Sequence, residues 1–161
     1  MSDHITVDPF EFDRFNFKHL LEAAGMNVGG RAQKFFTSEV ARIADPYVPM
    51  DSGTLAGTAL TYMEADAIHY IASYAGYLYE GKLMVDPKYG VGAFHDKQTG
   101  RFWSRKGVQK IPDPHGRSLN FDKTTHPKAT AHWVDVAWSN HGDEVIGEME
   151  KFIAKNMEDN L

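Results

Sequence analysis

The segment from Lys82 to Lys128 constrains this chain most, because no long apolar period runs through it. It is rich in Gly, Pro, Lys and Arg. A stretch of this length without strong elements is unusual inside a compact domain and is generally functional or disordered. Short strands around "YGVGAFH" and "GRFWSRK" are expected to turn part of it into a long hairpin arm. The periodic apolar sequence lies on its two flanks.

Charge sets the same segment apart. The chain of 161 residues carries −5 overall, yet residues 82–128 hold ten basic residues against four acidic ones, a charge of +6, which leaves −11 on the remainder. A cationic middle between anionic flanks invites an anionic partner or the chain's own neighbour. The length suits one domain over 1–161, with an N-terminal extension at 1–27 and the basic loop or arm at 82–128. A hydrophobic content of 42% with 24% charged residues is that of an ordinary soluble globular protein. Cysteine is absent, which excludes disulfide and thiolate chemistry. The start, "MSDHITVDPFEFD", lacks the basic region and apolar run of a signal peptide. Stretches such as "TLAGTAL" and "IGEMEKFI" are too short or too charged to span a bilayer, so no membrane partner is expected.

On the N-terminal flank, "FKHLLEAA" predicts a short helix ending at Gly25. A longer one starts at Arg31, after Gly29-Gly30. Ala32, Phe35, Phe36, Val40 and Ile43 form one stripe at helical spacing, and Arg31, Lys34, Ser38 and Arg42 take the other face. Asp45-Pro46 ends it, since proline disfavours helical geometry in the residue before it. Residues 55–63 and 68–73 alternate as an antiparallel strand pair joined by the hairpin loop "EADA". "YAGYLYEG" predicts one or two helical turns closed by Gly81. On the C-terminal flank, one helix carries Trp133, Val136 and Ala137. A second carries Val145, Ile146, Met149, Phe152, Ile153 and Met157, after a break at His141-Gly142. The expected class is α+β: a small antiparallel sheet packed against the long helix of the N-terminal half and the C-terminal helices.

Asp51-Ser52-Gly53 is the triplet that bears the catalytic carboxylate of aspartic proteases. Such an enzyme needs two carboxylates sharing a proton, and no second triplet occurs. Val48-Pro49-Met50 also argues against an entering strand. A structural turn fits better, with Asp51 accepting backbone hydrogen bonds, Ser52 beside it and Gly53 supplying a free backbone angle. The eight histidines show no helical zinc spacing, so no metal is expected. "GMNVGG" lacks the preceding strand and the Gly-x-Gly start of a phosphate-binding loop, so no cofactor is expected.

One patch mixes cations with aromatics: Lys97, Arg101, Arg105, Lys106 and Lys110 around Phe102 and Trp103. These are the ingredients of nucleic-acid binding by neutralisation and stacking. Against a remainder of −11, a basic arm that packs on an acidic protein surface is the better account.

Four spaced segments carry a resemblance. In order they are "ADPYVP" at the end of a helix, "MDSGTL", "YAGYLYEGK" and "HPKATAHWVDVAW". The chain resembles, over residues 28–156, the minor capsid and tail-completion proteins of long-tailed bacteriophages. Related sequences run Pro-x-Asp-Ser/Thr-Gly-x-Leu, Tyr-Ala-x-x-x-Tyr/Glu-x-Gly and Pro-x-Ala-x-x-x-Trp before an acidic terminal helix. The resemblance implies a small α+β virion protein at the head–tail junction, with no catalytic residues. It implies a ring that joins head to tail, or a neighbouring role as tail terminator or head-closure protein. The partners implied are other copies of the chain and phage neck, connector or tail-tube proteins, with DNA passing through the ring without sequence-specific binding. A ring needs two complementary faces; the basic arm and the anionic body supply such a pair. Tyr77 and Tyr79 suit an interface, where tyrosine is enriched, or the edge of the core.

Overall fold

The computed structural model describes residues 5–7, 30–50, 54–61 and 63–158. Strand β1 (Ile5–Val7) is followed by helix α1 (Arg31–Ala44), a 3-10 turn (Asp45–Tyr47), helix α2 (Thr54–Thr61), strand β2 (Ile68–Tyr70) and the short helix α3 (Ala75–Tyr79). Strands β3 (Met84–Val85), β4 (Phe94–His95), β5 (Phe102–Trp103) and β6 (Ile111–Pro112) then precede helix α4 (Trp133–Glu158). The architecture is α+β: small two-stranded antiparallel sheets with two long helices.

Helix α1 follows its sequence pattern. Phe36, Val40, Ala41, Ile43 and Ala44 are buried, while Arg31 and Lys34 are not. At its end Asp45 N–H still donates to Ala41 O, and Pro46 then tightens the chain into the 3-10 turn. Helix α4 packs along α1. Phe152 stacks on Phe35 with ring centroids 4.5 Å apart, and Trp138 meets Phe36 edge-on at 5.8 Å. Val40, Val145 and Met149 are closed off from solvent in this seam, and side chains so buried contribute about 1.5–3 kcal/mol each. At its rim, Arg42 bridges Glu39 of its own helix and Glu144 of α4 at 2.8 and 2.7 Å.

Two expectations are corrected. Residues 54–61 form a helix, not the first strand of a hairpin. Buried Leu55, Ala56 and Ala59 stand at helical spacing, whereas Gly57 between them is exposed. The apparent alternation comes from small Ala, Thr and Gly residues, which specify a face weakly. The strand partner of β2 is β1, with Ile5 opposite Tyr70 and Val7 opposite Ile68. The link from helix to sheet is instead made by Thr58, whose hydroxyl accepts from Ile71 N–H at 3.0 Å. The second correction concerns the C-terminus, where a single helix of 26 residues runs through His141-Gly142. Glycine in a helix interior costs about 1 kcal/mol, but here it makes room: a Cβ at Gly142 would lie 3.1 Å from the Trp138 ring. The apolar stripes on both sides of Gly142 belong to one core cluster and carry the helix through. The "FKHLLEAA" helix and the Asp51-Ser52-Gly53 turn lie outside the described residues.

The middle of the chain folds as a nested arm. An outer ladder pairs Met84 with Pro112 and Val85 with Ile111, and an inner one pairs Phe94 with Trp103 and His95 with Phe102. A bridge between Lys82 and Ser118 closes the base. Val85 is fully buried yet stands outside the main core cluster.

Candidate functional site

Three segments far apart in sequence meet where the arm joins the body. Thr130 N–H donates to Tyr47 O at 3.1 Å, and a ring nitrogen of His126 lies 2.8 Å from Val48 O. His132 N–H donates to Tyr79 O at 2.8 Å, and Leu119 N–H donates to Gly81 O at 2.9 Å. Trp133 is fully buried among Tyr79 and Tyr70, with edge-on ring contacts at 4.7 and 5.2 Å. The Tyr79 hydroxyl donates to Asp135 at 2.9 Å; burial and this carboxylate push its pKa well above that of a free phenol. Gly81 has a φ of +65°, and a Cβ there would sit 3.0 Å from that of Ala131. The glycine is needed twice, for its backbone angle and for the close approach. Thus "ADPYVP", "YAGYLYEGK" and "HPKATAHWVDVAW" act as three parts of one joint. Tyr79, an interface candidate in the sequence, belongs to this joint, whereas Tyr77 is 41% exposed.

The arm is shaped by a turn used twice. Asp86 N–H donates to Val91 O, Gly90 N–H donates to Asp86 O, and Asp86 Oδ1 accepts from the N–H groups of Lys88 and Tyr89. Ten residues on, Asp96, Arg101, Gly100, Gln98 and Thr99 repeat every one of these bonds. Both glycines adopt positive φ. This recurrence of Asp-x-x-x-Gly escapes a search for sequence repeats because only two side chains of each turn are fixed by its geometry.

Ion pairs divide the arm's cations into two groups. Arg105 grips Asp86 with two bonds of 2.6 and 2.8 Å and lies over the Tyr89 ring. Arg117 holds Asp113 in the same way at 2.9 and 3.0 Å, and also donates to Gly90 O. The Arg105 guanidinium, with the backbone N–H groups of Lys88 and Tyr89, lowers the pKa of Asp86 to about 2. Arg117 holds the Asp113 carboxyl still further below its ordinary range. Lys110 donates to Gly92 O. Arg105 and Lys110 are therefore fasteners of the arm itself. Lys97, Arg101 and Lys106 are exposed, and their side chains make no hydrogen bond or ion pair among the described residues.

Aromatic groups sit beside these free cations. Trp103 stacks on Phe94 at 4.5 Å, Phe94 meets Tyr89 edge-on at 5.4 Å, and Phe102 leans on His95 at 4.7 Å. Phe102 nonetheless remains 73% exposed and Trp103 52%. The sequence-predicted cluster is thus brought together on one folded element, with Arg105 and Lys110 turned to internal work. Tyr89, within the first Asp-x-x-x-Gly turn and half exposed, extends the aromatic surface.

No family model, no curated protein and no solved structure matches the chain. Elsewhere, a cleft of about 240 Å³ lies among Ser38, Arg42, Asp45, Val48, Ala56 and Tyr70. Of its polar lining, Ser38 donates to Phe35 O and Arg42 pairs with two glutamates, whereas the buried Tyr70 hydroxyl has no hydrogen-bond partner among the described residues. Among the described residues, no group of three or more His, Cys, Asp or Glu could hold a metal ion. Nor is any described helix long and apolar enough to cross a membrane.

Proposed function

We propose that this chain is a non-enzymatic structural protein of a phage neck, which forms a ring at the head–tail junction and joins head to tail. The observation that carries the proposal is the joint. Three of the four spaced segments on which the resemblance rests meet there as packing and hydrogen-bonding partners, which is the role expected of recurring motifs in a scaffold. The joint supports an arm whose outer surface combines exposed aromatics with unpaired cations, as an assembly contact requires. Its partners are other copies of the chain and neighbouring neck, connector or tail-tube proteins, and DNA passes through the ring without being read in sequence.

The test is genetic and structural. Phage made without the protein should accumulate filled heads and free tails that join when purified protein is added. Prior incubation with heads or with tails separates head closure from tail completion or termination. Normal tailed particles without the protein would refute the proposal. A second reading, nucleic-acid binding by the arm, is favoured by the exposed Phe102 and Trp103 beside Lys97, Arg101 and Lys106. It requires the isolated protein to retard a DNA fragment with affinity that falls steeply as salt rises.

A further inference from the structure

A two-stranded ribbon is marginally stable in water, and its unpaired edges and exposed apolar groups call for cover. The β4–β5 ribbon is such a ribbon: Phe102 lies on one face beside His95 and Trp103 on the other against Phe94, both more than half exposed, and the side chains of Lys97, Arg101 and Lys106 make no ion pair or hydrogen bond among the described residues. Another copy of the ribbon is a poor cover. The arm from Lys82 to Ser118 holds eight basic and three acidic residues, and like charges facing each other across an interface are repelled.

Helix α4 has the opposite character, with six acidic residues against two lysines. Some of its acids are occupied: Asp135 by Tyr79, Glu144 by Arg42 and Glu148 by Lys151. Asp143, Glu150 and Glu158 are exposed and make no ion pair or side-chain hydrogen bond among the described residues. They fall on one face of the helix, at helical spacing with Gly147 and Ala154 between them. Gly147 faces open space, with nothing within 4 Å of where a Cβ would be. The face is therefore an open strip that bears three carboxylates and is charged to receive cations.

We propose that the Phe102 face of the β4–β5 ribbon in one copy seats on the Asp143–Gly147–Glu150–Ala154 face of α4 in a second copy. Lys97, Arg101 and Lys106 then pair with the carboxylates of the strip. Both surfaces are exposed in the single chain, and they are different surfaces, so the contact is head-to-tail and leads to a ring when its rotation closes. This inference rests on the self-assembly in the proposed function and names the two faces that meet.

Charge exchange tests it. Lys97→Glu, Arg101→Glu and Lys106→Glu reverse the arm, and Asp143→Lys with Glu150→Lys reverses the face. Sedimentation at low salt should show wild-type association that weakens as salt rises. Each reversed protein alone should associate about 100-fold more weakly or less, whereas an equimolar mixture of the two should associate again, since each supplies the other's complement. Because the chain has no cysteine, a mixture of Ser104→Cys and Ala154→Cys proteins provides an independent check, with an inter-chain disulfide expected on oxidation. A wild type that stays monomeric at every concentration overturns the inference. So does undiminished association of the face-reversed protein, a mixture that fails to recover, or absence of the cross-link. If phage carrying the face-reversed protein join tails normally, the interface is refuted and the neck role stands. If the exchange behaves as expected but phage lacking the protein join tails normally, the neck role is refuted and the interface stands.

Discussion

Truncating Trp133 to alanine removes the centre of the joint that supports the arm. The indole is fully buried and meets Tyr79 and Tyr70 edge-on at 4.7 and 5.2 Å. Loss of a buried tryptophan side chain costs about 3–5 kcal/mol, because the cavity collapses only in part. Within that total, each edge-on aromatic pair contributes about 0.5–1.5 kcal/mol beyond the area it buries. A domain of this kind has about 5–15 kcal/mol in all, so Trp133→Ala should leave a folded but marginal protein. Urea unfolding followed by far-ultraviolet circular dichroism measures the loss. A double-mutant cycle with Tyr79→Leu isolates the pair, with an expected coupling of about 0.5–1.5 kcal/mol. Trp133→Phe, which keeps a ring, provides the same cycle if the alanine variant does not fold. A loss below about 1 kcal/mol, against the expectation for a buried indole, or a coupling of zero, would refute the account of the joint.

Acidification should loosen the arm before the body. The folded-state pKa of Asp86 is lowered to about 2, against about 3.9 for an unfolded aspartate, so its contribution is present above pH ~4 and is lost as pH falls toward 2. Hydrogen exchange at Lys88 and Tyr89, corrected for the intrinsic rate, should lose protection across that window. Asp86→Asn should show no such transition, and an unchanged pH profile in that variant would refute the assignment. Phe152→Ala removes a half-buried ring stacked on Phe35 and should cost about 2 kcal/mol, less than a fully buried phenylalanine; a negligible loss by urea unfolding would place the ring outside the stabilising seam. On the turn that the sequence predicts at Asp51-Ser52-Gly53, Asp51→Asn should cost about 1 kcal/mol, because the amide retains an acceptor oxygen. Peptide hydrolysis at acidic pH that disappears in this variant would revive the protease reading.

Much of this molecule was determined by its sequence wherever near neighbours along the chain do the work. Helix α1, its stop at Asp45-Pro46, the short helix closed by Gly81 and the apolar stripe of α4 are set by local spacing and by proline and glycine geometry. So are the positions of the β4 and β5 strands in the arm. Tertiary structure decided what local pattern leaves degenerate. Residues 54–61 alternate weakly enough to suit either class, and burial of Leu55, Ala56 and Ala59 selected the helix. The partner of β2 came from Ile5–Val7, because closing a sheet depends on which distant edge is available. Gly142 looked like a break because helix propensity counts only the glycine, whereas packing counts the Trp138 ring above it. In the arm, composition treats all cations alike. Only the fold brings Asp86 to Arg105, Asp113 to Arg117 and Gly92 O to Lys110, leaving Lys97, Arg101 and Lys106 beside Phe102 and Trp103, because an ion pair depends on distance in space and not along the chain.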